Sequence, residues 1–407
     1  MLFEPIILPC GQSLKNRAVK AAMEENMADA EHFPSPELMR LYAAWAQGGV
    51  GLIISGNVMI DKMAMTGPGG VVLDKTTPLN TFKDWAQLAK QNNCKAILQI
   101  NHPGRQVMKA MGGKNVSPSD IPVNIGKHSN LLAQPKALTH DEIEDVIQRF
   151  VDTAVNAKAS GFDGVQIHAA HGYLLSQFLS PLTNKRNDKW GGDLHNRAKI
   201  LYTIVEKVRT AIGQKSIVAI KMNSADFQRG GFDVVDAIEV IKHLNELGLD
   251  FVELSGGSYE APAMQGKSGD QRTLAREAYF LEFAALIAQH AKMPIMTTGG
   301  IKRLKTAEKV LTSGVDLVGM ASALAYEPAL INIWQKQPEV LGFVPSVNWK
   351  DKAMSGLATM ALVKRQLHRI GANKTVDVTS SPLFSLMLDR IKISRLTKQY
   401  RKWIGIS

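Results

Sequence analysis

Cysteine is nearly absent: Cys10 and Cys94 are the only two in 407 residues. Neither belongs to a CxxC pair or to a Cys/His cluster at metal spacing, which argues against a disulfide framework, a structural zinc or an iron–sulfur cluster and makes a reducing compartment the expectation. Aromatic residues are sparse at 6%, whereas glycine occurs 33 times; that balance suits many tight turns in an α/β protein more than an aromatic β-sandwich. No apolar run approaches the length of a membrane span. Glu4 and Pro5 stand where a signal peptide would carry its basic and apolar regions, so a cytoplasmic location is expected. What is plentiful is apolar surface: 45% of the residues are hydrophobic and 21% charged, enough for one large core or two ordinary ones.

The net charge of +11 invites a nucleic-acid reading, but its distribution opposes one. Residues 331–407 hold 13 Lys/Arg and 4 Asp/Glu, so +9 of the charge lies there and the body carries only +2. A near-neutral body with a basic appendage reads as a catalytic or binding unit plus a tail that prefers acidic surfaces, with no nucleic-acid partner.

Short β-branched runs recur along the body, each followed by helical periodicity. The expected strands are 18–23, 50–55, 95–101, 164–168, 217–223, 250–255, 294–298 and 315–320; the expected helices include 35–47, 78–91, 139–159, 195–212, 233–247 and 276–290. Thr139 followed by Glu142 is a capping-box pattern, and Gly48, Gly161, Gly213, Gly248 and Gly314 supply helix stops. Eight alternations over about 330 residues predict a (β/α)8 barrel across residues 1–340, with a doubly wound sheet as the rival, and a basic, helical extension over residues 341–407.

In such a barrel the chemistry belongs at the carboxyl ends of the strands. Polar groups fall there: Glu24 and Glu25 after the first strand, Gly56 and Asn57 after the second, Gln99 and Asn101-His102-Pro103-Gly104-Arg105 at the third, and His168, His171 and Tyr173 at the fourth. Lys221 and Asn223 end the fifth strand, Ser255-Gly256-Gly257 the sixth, and Gly299-Gly300 the seventh. A glycine pair opening a helix, followed by Lys302 and Arg303, suits a phosphate, or else is a plain tight turn. His168 and His171 can direct two N–H groups at one oxygen while Tyr173 gives a proton, or both imidazoles cap local carbonyls; zinc lacks a third ligand at the right spacing. Lys221 can stabilise an anionic ring or enolate, or simply pair with a neighbouring carboxylate.

The stretch from Gln166 to Arg197, QIHAAHGYLLSQFLSPLTNKRNDKWGGDLHNR, resembles the signature of the old yellow enzyme family, NADH:flavin oxidoreductases that hold FMN in a barrel. Leu14-Lys15-Asn16-Arg17, Gln99 with His102-Pro103-Gly104-Arg105, and Asp316-Leu317-Val318-Gly319-Met320 extend the resemblance from residue 1 to about 340. It implies an ene-reductase that takes hydride from NAD(P)H and delivers it from flavin N5 to the β-carbon of an α,β-unsaturated carbonyl compound. The resemblance places Gln99 and Lys221 at the pyrimidine edge, His168 and His171 on the substrate carbonyl oxygen, and Tyr173 as proton donor. Ala22, Met23, Glu24, Gly56, Asn57, Gly299, Gly300, Ala321 and Ser322 complete the cofactor set it implies.

Two departures stand out. Much of the family ends strand eight in Gly-Arg, the arginine gripping phosphate, whereas this chain has Ala321-Ser322. After strand one the family usually has Pro-Met followed by Thr or Cys; here the run is Ala22-Met23-Glu24, and a carboxylate there disfavours reduced, anionic flavin unless it points away or is paired. The final segment, Leu383 to Ile404, permits a basic amphipathic helix on an anionic membrane or acidic partner, or a helix packed across the barrel bottom or on a second subunit. Two rival functions remain: a non-redox isomerase or aldolase using Lys221 as a Schiff-base amine on a phosphorylated metabolite, and a membrane-peripheral flavin-binding protein.

Overall fold

The structure is a computed structural model in which residues 1–263 and 277–406 are described, apart from the Lys352 side chain. Eight parallel strands form the barrel: β1 (Ala18–Lys20), β2 (Leu52–Met59), β3 (Lys95–Asn101), β4 (Gly164–Ala169), β5 (Ile217–Asn223), β6 (Phe251–Ser255), β7 (Ile295–Thr297) and β8 (Leu317–Met320). Neighbours pair in order from β1 through β8, β7, β6, β5, β4 and β3 to β2, and a β1–β2 pairing closes the ring. The doubly wound alternative is thereby excluded. Helices α1 (Pro36–Gln47), α2 (Asn80–Ala89), α3 (His140–Ala159), α4 (Leu174–Leu179), α5 (Leu194–Ile212), α6 (Val234–Leu244), α7 (Leu281–Ala288), α8 (Leu304–Thr312), α9 (Ser322–Tyr326) and α10 (Leu330–Lys336) follow the strands.

The sequence signals act as physics requires. Ser35 accepts the Leu38 N–H at the head of α1, with Pro36 in its first turn. Thr139 and Glu142 form the reciprocal capping box of α3. Gly213 ends α5 at φ 77°, a conformation L side chains rarely adopt. The expected 276–290 helix is shorter, Leu281–Ala288, and Arg276 lies outside the described residues. Strand β2 extends beyond its expected end, so Gly56 and Asn57 lie inside it, beside a register shift between Ile54 and Asn57.

Inside the barrel, composition changes along the strands. The lower layers are apolar, with Val19, Leu52, Ile54, Ile97, Ile217, Phe251, Met296 and Leu317 in one cluster. Leu8 and Leu14 join that cluster from an N-terminal hairpin (Ile6–Ile7 with Ser13–Leu14), which plugs the bottom. Asp250 locks the plug by accepting the Cys10 N–H at 2.7 Å while pairing with Arg209, also at 2.7 Å. Burial pushes the Cys10 thiol up to about 11.

Two longer helices follow: α11 (Lys352–Gly371) and α12 (Pro382–Trp403). They pack on each other and α11 packs on α1 and α9. Helix α12 rides over the loops after β2 and β3: Tyr400 is fully buried, donates to the Lys62 carbonyl at 2.9 Å, and Leu396 meets the turn at Gly69. The extension therefore sits at the catalytic end, not across the bottom, because the hairpin already fills that place.

Candidate functional site

The barrel's upper interior is polar and hydrogen-bonded. Alternation along parallel strands in register sets Gln99 beside Gln166 and Lys221 between His168 and Glu253. Gln99 Nε2 donates to Gln166 Oε1 at 2.7 Å, Gln166 Nε2 donates to Glu253 Oε2 at 2.9 Å, and Lys221 Nζ pairs with Glu253 Oε1 at 2.8 Å. Lys221 thus has the carboxylate partner that the bland reading offered. Gln166 and Glu253, the links that hold Gln99 and Lys221 in place, were missed in the sequence, although each sits at an inward position of its strand.

At the end of β4, His171 at φ 61° and Gly172 at φ 73° turn the chain back over the strand. A Cβ on Gly172 would lie 2.7 Å from Ser258 Cβ and 2.8 Å from Gln106 Oε1, so only glycine permits the turn. His168 lies 5.1 Å from His171 and 4.9 Å from Tyr173, ring centre to ring centre, with near-perpendicular planes. His168 Nδ1 accepts the Ala170 N–H at 3.2 Å. Burial, reinforced by the Lys221 charge, holds both histidines well below the ordinary imidazole range. His168 is consequently neutral with its proton on Nε2, a donor to the site. His171 Nε2 lies 2.7 Å from Ser255 Oγ, and its backbone N–H donates to Asn223 Oδ1 at 3.0 Å.

Tyr173 has a phenol raised well above its usual value by burial, then by Tyr259 and Glu24. Its oxygen lies 3.5 Å from that of Tyr259. Tyr259 escaped the sequence reading because it stands on a loop without a motif, residues 258–274, which is described only to residue 263. Gln106 ties this loop down, donating to the His171 carbonyl at 3.0 Å and accepting the Tyr259 N–H at 3.2 Å.

The loop after β1 carries Ala22, Met23 and Glu24. Beneath it lies a buried group the sequence did not disclose: Lys20 Nζ is 3.4 Å from Glu25 Oε1, which also accepts from Tyr42 Oη at 2.7 Å. Burial lowers the Lys20 ammonium to about 8 despite Glu25. Tyr42 Oη in turn accepts the Gly56 N–H at 2.9 Å, and a Cβ on Gly56 would reach 2.0 Å from Glu25 Oε2. Glu24 is not unpaired: it accepts from Thr66 Oγ1 at 2.9 Å and lies 4.0 Å from Lys364 of α11.

The β7 and β8 ends differ from expectation. Gly299 and Gly300 do not open a helix directly, since α8 starts at Leu304. A Cβ on Gly300 would strike Tyr279 Oη at 2.3 Å. Glu277 accepts the Lys302 N–H at 3.2 Å and pairs with Arg303 at 2.7 Å. Ala321 precedes the short helix α9, whose first residue is Ser322.

These residues fit FMN. Gln99 and Lys221 offer an amide and a cation of the kind a flavin's pyrimidine edge takes. At the β7 loop the Lys302 N–H and Arg303 donate to the Glu277 carboxylate, so these donors can hold anionic oxygen. Among the described residues no group of three or more His, Cys, Asp or Glu is arranged to hold a metal ion.

Comparison with known proteins agrees. Residues 1–339 match the model of the NADH:flavin oxidoreductase / NADH oxidase family. The NADH-dependent flavin oxidoreductase iliE of Hypocrea jecorina is 35% identical over 348 residues, covering 80% of this chain and 86% of that protein. The NADH-dependent flavin oxidoreductase iccE of Talaromyces variabilis is 34% identical over 373 residues, covering 85% and 87% respectively. The old yellow enzyme homologue of Zymomonas mobilis superposes with a TM-score of 0.72 at 26% identity, covering 84% of this chain and 95% of that one. The barrel, the interior donor set and the family match together establish that this chain belongs to the NADH:flavin oxidoreductase / NADH oxidase family, the old yellow enzyme family, an oxidoreductase with FMN as its cofactor.

Proposed function

We propose that the chain is an NADH-dependent ene-reductase acting on α,β-unsaturated carbonyl compounds. FMN, when bound, supplies the hydride chemistry between NADH and the activated alkene. This chain's residues supply the rest. Gln99 and Lys221, fixed through Gln166 and Glu253, hold the cofactor's pyrimidine edge in one orientation. His168 Nε2–H, with His171 beside it, donates to the carbonyl oxygen of the substrate, where negative charge grows as the alkene is reduced. Both imidazoles stay neutral at working pH, so they stabilise by hydrogen bonding without giving up a proton. Tyr173 delivers the proton to the α-carbon; its phenol remains protonated through the whole physiological range, and Tyr259 steadies it. Residues of the loops after β1, β2, β7 and β8 line the remainder of the cofactor site.

The observation that carries this reading is the packing of His168, whose Nδ1 accepts a backbone N–H, against both a second imidazole and a buried phenol at the end of β4. The two half-reactions separate the roles. Tyr173→Phe is expected to slow oxidation of reduced enzyme by an enone by about 10²–10⁴-fold, the usual worth of a positioned acid, while reduction by NADH stays near wild type. Equal losses in both half-reactions would reject Tyr173 as the acid.

A further inference from the structure

Helix α12 has two faces with separate fates. Its inner face is committed: Ser385 and Leu386 are buried against α11, and Tyr400 against the barrel's loops. Its outer face carries five large apolar side chains in solvent: Leu383 is 69% exposed, Phe384 46%, Met387 49%, Leu388 41% and Ile391 62%. Their spacing of i, i+1, i+4, i+5 and i+8 gathers them into one stripe rather than scattering them round the helix. Contiguous apolar patches of this kind mark contact surfaces. Further along the same face the residues turn cationic, with Arg395, Lys398 and Lys402 exposed. Arg365 of α11 lies over the Phe384 ring at 5.3 Å and so adds a cation at the apolar end. The helix has one acidic residue, Asp389, against six basic ones.

We infer that this outer face of α12 is a docking surface for an anionic lipid bilayer, the apolar stripe entering the headgroup boundary and Arg395, Lys398 and Lys402 meeting acidic headgroups. Charge decides between occupants. A second copy laid along the whole face would set its own cations against either the apolar half or the same three cations, whereas an anionic bilayer complements both halves at once. The contact is peripheral, since no described helix is long and apolar enough to cross a membrane. Because α12 rides on the loops after β2 and β3, docking brings the catalytic end beside the lipid.

The test is co-sedimentation of the full-length, FMN-loaded protein with phosphatidylcholine vesicles containing 0 or roughly one-third phosphatidylglycerol, at low and high salt. Binding is expected only with phosphatidylglycerol and is expected to weaken with salt. Leu388→Glu/Ile391→Glu and, separately, Arg395→Glu/Lys398→Glu/Lys402→Glu should each cut binding at least tenfold while FMN content and melting temperature stay unchanged. Both sets of positions lie on the solvent face, so the second variant keeps the test valid if the first loses its fold. Equal binding to neutral vesicles would overturn the inference. So would wild-type binding by either variant, or a concentration-dependent dimer that Leu388→Glu/Ile391→Glu abolishes without any vesicle binding.

Discussion

The two sides of the barrel mouth are built differently. From β3 to β6, the inward side chains already contact one another: Gln99 with Gln166, Gln166 with Glu253, Glu253 with Lys221, and the imidazole pair with Ser255 and Tyr173. From β7 round to β1, the chain brings its own acids to the rim: Glu277, from the segment between β6 and α7, meets Arg303 of the β7 loop, and Glu24 after β1 meets Lys364. The first arc is a continuous chain of buried hydrogen bonds and one ion pair, which fixes its side chains against one another. The second arc is instead held by ion pairs between loops and helices, and both of its acids are already matched by cations.

Breaking the first arc has the largest expected effect. Lys221→Met leaves Glu253 as an uncompensated buried charge and should cost about 3–5 kcal/mol of stability, together with FMN binding. Urea denaturation of the apoprotein checks this, and Lys221→Met/Glu253→Gln should recover most of the stability; if the single variant is as stable as wild type, the pair does not organise this side.

Acid should weaken the same arc next. His168, His171 and His102 are held neutral when folded, His102 down to about 4 by burial, with Asp61 opposing. The unfolded chain takes up the protons that the folded one refuses once pH falls below the ordinary imidazole value. Stability is therefore fully present above about pH 6.5 and lost below it, by up to roughly 1.4 kcal/mol per pH unit per histidine. Urea midpoints should fall from pH 6.5 to 5, and His102→Gln should show a shallower fall.

The smallest effect sharpens the contrast from the other side. Glu277→Gln removes the resident anion from the β7 loop and should tighten FMN about fivefold, close to 1 kcal/mol. Fluorimetric titration of apoprotein reads it, and unchanged or weaker affinity would show that the carboxylate supports the loop more than it competes there.

Much of this was legible beforehand, for physical reasons that differ by element. β3 and β5 ended where expected because their mainly apolar runs, broken only by Gln99 and Lys221, stop at Asn101 and Asn223. α3 began where expected because a capping box is a local device. The His168, His171 and Tyr173 grouping was readable because six residues of chain hold it together. β2 overran because the bulge at Gly56 depends on Glu25 and Tyr42 crossing above it, which no local pattern announces. Lys20, Glu253 and Tyr259 were hidden for the same reason, as each acquires its meaning from a partner on another strand or loop.

The amino-acid order alone determined the alternation of strands and helices, the ends at which polar groups collect, and the family signature, because these depend on side-chain periodicity and on neighbours close in the chain. Only the tertiary structure decided that Lys221 is charge-paired, that Glu277 pairs with Arg303, and that α11 and α12 lie at the catalytic end. Those outcomes depend on which distant groups share a buried, low-dielectric space, where an unpaired charge is too costly to remain and the hairpin has already taken the bottom of the barrel.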